Sequence, residues 1–144
     1  MAVTYTNNWK NILTALKSKI RAEIKCPIYS SWDNESKANQ FIRIIPTGSA
    51  QEEKATFMEV REFEMECQYY FTRRKDSNFQ NYVLNQVSLL EALVHDNITL
   101  DLADSTKAVN VTMGDLDFNV EVDGYEDYFV AQWSLSCTHF GNPA

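Results

Sequence analysis

The sequence predicts an α+β fold in which two helices pack on a mostly antiparallel sheet, in the order α-β-β-β-α-β-β-β. Two segments, 7–25 and 77–96, place apolar residues three and four positions apart, which is the spacing of one helix face. Most other segments alternate apolar and polar residues, as strands with one buried face do. The length of 144 residues suits a single domain spanning 1–144.

The first predicted helix, 7–25, combines an apolar stripe with a basic face. Thr6 or Asn7 is suited to cap its start, and Pro27 is expected to end it, because proline disfavours helix in the preceding residue. A basic face is unusual in a chain whose net charge is −7, so we expect it to contact another subunit. The residues assigned to this basic face are Lys10, Lys17 and Arg21.

Two short strands are predicted next, at 28–32 and 40–45, with the polar stretch "DNESKAN" as a hairpin loop between them. The charged stretch 46–56 then reads as a long loop, and loops of this length are often functional or mobile. We expect the loop to order on a partner. Its candidate contact residues are Gly48, Gln51, Glu52, Glu53 and Lys54.

The strand predicted at 57–72 carries the most unusual pattern of the chain. The apolar residues change from an even position at Val60 to odd positions from Phe63 onward, which predicts a bulge or a strong bend between them. From Phe63 onward, apolar and polar residues alternate strictly, so that three glutamates share the face away from the core. These glutamates are Glu62, Glu64 and Glu66.

The second half begins with the helix at 77–96, for which Asp76 or Ser77 is the expected cap and Asn97 the expected left-handed closing residue. After a polar loop near 103–107, strands are predicted on either side of a tight hairpin at Gly114-Asp115. The last strand, 128–139, is expected to bury its odd-numbered residues from Phe129 to Cys137.

Enzymatic and metal-binding interpretations of these residues are weak. Catalytic carboxylates need different environments to separate their pKa values, and three equivalent glutamates on one open face do not offer that. Asp115, Asp117, Asn119 and Glu126 have the spacing of a calcium loop, but Val120 stands where glycine is required, and a strand accounts for all of them. Cys67, Cys137 and His139 could share a site, and zinc needs four ligands or three and a water, but no Cys-x-x-Cys occurs and buried free cysteine is the ordinary interpretation, so we expect no cofactor.

Composition narrows the partners and the compartment. The acidic charge argues against nucleic acid as a bound ligand, since binding requires positive charge against the phosphates. The sequence shows neither a membrane-spanning stretch nor a secretory signal at its start, so the three cysteines are expected to be reduced thiols.

The whole chain resembles the phage tail terminators, the family that includes the minor tail protein U of lambda-like phages. The resemblance runs through "NNWKNILTALKSKI", "EFEMECQYYF", "FQNYVLNQVSLLEAL" and "YFVAQWSLSCTHF". The resemblance rests on the order and lengths of the elements and on the spacing of the apolar residues within them.

The resemblance implies a structural virion protein without enzymatic activity. Such proteins form a hexameric ring that caps the tail tube and meets the head–tail connector at the neck, with DNA passing through the lumen. Glu62, Glu64 and Glu66 would then line the lumen and repel the passing DNA. Two alternatives remain open, namely another head–tail connector or tube-like component, and a small acidic enzyme that uses the glutamate strand.

Overall fold

The computed structural model of the protein describes residues 7–30, 39–54, 59–72, 78–102, 106–123 and 126–141. The predicted α+β class and the order of helices and strands are confirmed. The elements are α1 (Asn8–Glu23), β1 (Ile28–Tyr29), β2 (Gln40–Lys54), β3 (Glu59–Thr72), α2 (Phe79–Asp96), β4 (Leu100–Asp101), β5 (Lys107–Asp123) and β6 (Glu126–Gly141).

All six strands form one sheet in the order β1-β2-β3-β6-β5-β4. Every pairing is antiparallel except that of β1 with β2, which is parallel. The predicted hairpin between the first two strands is therefore wrong, because parallel strands need a crossover rather than a tight turn. A polar stretch between two apolar runs looks the same in both arrangements, and 31–38 lies outside the described residues.

Both helices pack on one face of the sheet, where the main core lies. The stripe of α1 at Ile12, Leu16 and Ile20 and the stripe of α2 at Val87 and Leu90 are fully buried there. The sheet contributes the inward residues of its long central strands, as predicted for β6. The largest of these are Trp133, Tyr69 and Phe71.

The ends of the helices are set by side chains near them. The Asn7 side chain accepts a hydrogen bond from the Lys10 backbone N–H at 3.1 Å, which confirms Asn7 as the predicted cap. The helix α1 ends at Glu23, four residues before Pro27, where the Lys25 ammonium donates to backbone carbonyls of the last turn. No helix in the described part of the chain combines the length and apolar character of a membrane span.

The end of α2 differs from the prediction. Asn97 has φ −120°, so it does not close the helix in the left-handed conformation. Its side-chain amide instead donates to the Leu93 carbonyl at 2.8 Å, which satisfies an end carbonyl in another way. At the other end the cap position is Asn78, and the predicted caps Asp76 and Ser77 lie outside the described residues.

The predicted loop at 46–56 is wrong as far as Lys54, because these residues continue β2 and pair with β3. Register shifts between Pro46 and Gly48 and between Gln51 and Glu53 insert an extra residue each time. Bulges at a sheet edge accommodate proline and glycine, which is why turn-forming residues occur here within a strand. Residues 55 and 56 lie outside the described residues.

The bulge predicted in β3 is also wrong. The strand β3 pairs with β6 from Glu59 to Thr72 without a register shift, and the extra residues belong to β2. Val60 lies on the same face as the glutamates, in register with Phe140 of β6, and a strong bend at this point stays a prediction.

No hairpin occurs at Gly114-Asp115, since β5 is continuous from Lys107 to Asp123. It contains two register shifts instead, between Val109 and Thr112 and between Met113 and Leu116. A Cβ on Gly114 would collide with the Ser134 hydroxyl of β6, so glycine serves close strand approach here rather than a turn. The short strand β4, which pairs with the start of β5, is not predicted by the sequence.

The burial pattern predicts a sharp contrast between two isoleucines. Ile44 is fully buried in the core at 0% exposure, whereas Ile98 is 51% exposed. Ile44→Ala is expected to lower the free energy of unfolding by about 2–5 kcal/mol through lost burial and a residual cavity. Ile98→Ala is the matched control and is expected to change it by about 0.5 kcal/mol or less. Urea unfolding measures both, and equal losses would contradict the assigned core.

Candidate functional site

The candidate site is the face of the sheet opposite the helices. Among the described residues no helix covers this face, and the glutamates of β3 lie along its middle. Phe63 and Met65 between them are each 2% exposed, which confirms the predicted alternation. Glu64 is exposed and its two neighbours in the row are half-buried. That the row faces a lumen stays a prediction.

The neighbours of this row on adjacent strands are mostly small. Glu62, Glu64 and Glu66 have one cross-strand neighbour on β2 and one on β6, and all of these except Ile45 are small. These short neighbours leave the carboxylates as the longer side chains on this part of the face. The small neighbours are Gly48, Ala50, Ser134, Ser136 and Thr138.

A polar network follows the acidic row along the strand. Arg43 of β2 is 7% exposed, and its guanidinium donates to the Gln68 side-chain oxygen at 3.3 Å and the Tyr70 hydroxyl at 3.4 Å. The Tyr70 hydroxyl also donates to Gln68 at 3.1 Å, and the Gln132 amide donates to Glu66. These bonds fix the side chains at the boundary of the row.

An aromatic cluster occupies the far end of the same face. The rings of Phe41 and Tyr70 stack at 4.4 Å between centroids, and the Tyr128 ring meets Phe41 edge-on at 5.7 Å. Val130 completes this cluster and Tyr29 packs against it. Sequence reasoning missed both this cluster and Arg43. The available signal was a pair of aromatic residues at adjacent positions, as at Tyr69 and Tyr70, which indicates burial on both faces of a strand.

The geometry offers little support for catalysis or metal binding. The three glutamates are alternate residues of one strand on one open face, whereas catalytic carboxylates need environments that separate their pKa values. Within the described ranges, no group of three or more His, Cys, Asp or Glu is placed to hold a metal ion. The Nε2 of His139 lies 2.9 Å from the Thr106 hydroxyl, and its ring meets Phe63 edge-on, so it is held as a core histidine.

The residues that have the spacing of a calcium loop lie in two strands. Asp115, Asp117 and Asn119 lie on β5, and Glu126 begins β6, which pairs antiparallel with β5. Ligands of a calcium loop must converge on one point, whereas alternate residues of a strand project in parallel. The strand interpretation of these residues is confirmed.

The basic face of α1 borders a cleft between that helix and the outer edge of β2. Lys10 and Arg21 are exposed, and Lys17 is half-buried. Lys10 and Lys17 line the cleft, which has a volume of about 690 Å³, together with Trp9 and Leu13. Gly48, from the predicted contact segment, lies on the opposite wall in β2, and Gln51, Glu52, Glu53 and Lys54 follow it along the strand. Their contacts with partners stay predictions.

Comparison with known proteins supports the fold over nearly the whole chain. The structure is similar to one chain of a solved structure described as the virion of a native gene transfer agent particle. The TM-score is 0.61 at 11% identity, and the match covers 94% of this chain and 99% of that chain. A likeness at this identity shows a shared fold. No protein-family model and no curated protein sequence matches the chain.

The three cysteines are buried free thiols, as expected. Burial raises the pKa of Cys67 and that of Cys137 from 9.0 to about 12, and it also raises the pKa of Cys26. A thiol that stays protonated and covered reacts slowly with alkylating reagents.

These raised values predict a loss of stability at alkaline pH. The unfolded thiols ionise above pH 9.0 while the folded thiols keep their protons to about pH 12, so the free energy of unfolding falls across that window. Each thiol adds at most about 1.4 kcal/mol per pH unit to the slope. Urea unfolding at several pH values should show a shallower fall for a variant with Cys67→Ala and Cys137→Ala. Parallel curves would contradict the assignment.

Proposed function

We propose that this protein is a structural virion component that forms a ring, caps a phage tail tube and joins it to the head–tail connector. The observation that carries the proposal is the match in fold, over 94% of this chain, to a chain of a gene transfer agent virion. The resemblance in element order to phage tail terminators supports the narrower role.

The open face of the sheet suits a ring through which DNA passes. Glu62, Glu64 and Glu66 stand on a solvent-accessible row, and a ring repeats that row in every subunit so that the fields add. Like charge keeps phosphates from adhering to the wall. The buried Arg43 is tied to Gln68 and Tyr70, so its guanidinium is held within the sheet rather than offered to a passing strand.

The proposed partners are other copies of this chain in a hexamer, a tail tube protein and a head–tail connector protein. DNA passes without specific binding, and the proposal requires no cofactor, enzymatic activity or membrane. The protein would be assembled in the host cytoplasm and reside at the tail or neck of the virion.

Another head–tail connector or tube-like component is the second candidate, because the same open acidic face would suit any ring that surrounds DNA. The two roles predict different effects on the growth of the tail tube. A terminator closes one ring and stops tube extension, whereas a tube component stacks ring upon ring. Adding the purified protein to growing tail tubes separates them: a terminator gives capped tubes of fixed length, and a tube component gives longer ones.

We expect native mass spectrometry of assembled necks to show six copies of the chain, and images of the neck to show a sixfold ring. The reason is the basic face of α1 within an acidic chain, which suits head-to-tail contacts that close into a ring. A particle that carries the protein only as a monomer would rule out the ring.

The acidic row predicts a charge-dependent effect on DNA. Changing Glu62, Glu64 and Glu66 to Gln is expected to preserve folding and ring size, since glutamine at position 66 can still accept from Gln132. Changing all three to Lys is expected to make DNA adhere and to slow its ejection, most strongly at low salt where screening is weak.

DNA retention and ejection are measured at low and moderate salt beside the unchanged protein. The Gln variant serves as the control for loss of charge without reversal. If the Lys variant retains and ejects DNA like the unchanged protein, the glutamates do not repel DNA and the row is an ordinary solvated face. Loss of a hydrolytic activity in the Gln variant would instead favour the enzyme alternative.

A further inference from the structure

We draw no further inference here: the strongest candidate, the apolar groove of about 490 Å³ between the helix α2 and the outer edge of β5, lined by Leu84, Phe118 and Val120, carries nothing, because nothing in the described part of the chain shows what covers it.

Discussion

One-sided coverage of the sheet is the constraint on which the rest of the structure depends. Both helices pack on the same face, so each long strand must alternate between apolar residues toward the helices and other residues away from them. The strand β3 obeys this rule along its length, with Phe63, Met65 and Cys67 buried and glutamates between them. The acidic row is therefore the outward half of the pattern that builds the core.

The outward face is itself organised. Its aromatic end is packed and its middle is held by the Arg43 network, while the glutamates occupy the part where the neighbouring strands supply small side chains. Arg43 is buried, and its hydrogen bonds to Gln68 and Tyr70 offset part of the free energy that is lost when its charge is removed from water. Under the proposed function, this row of carboxylates would face the passing DNA.

The two lateral edges of the sheet complete this arrangement. Within the described residues, β1 and β4 each pair with only two residues of the neighbouring strand, at the two lateral edges of the sheet. One edge is acidic with exposed apolar residues, and the other adjoins the basic face of α1. Under the proposed function, these edges and the open face are the surfaces at which copies of the chain would meet one another and the passing DNA.

The sequence by itself determined the two helices, the alternation of β3 and β6 and the α+β class, because these depend on periodicity within single segments. Only the tertiary structure decided which residues were strand rather than turn. Pro46, Gly48 and Gly114 looked like loop residues, yet they lie in or beside bulges where neighbouring strands stay paired. The parallel pairing of β1, the edge strand β4 and the burial of Arg43 depend on partners distant in the chain, which local patterns do not specify.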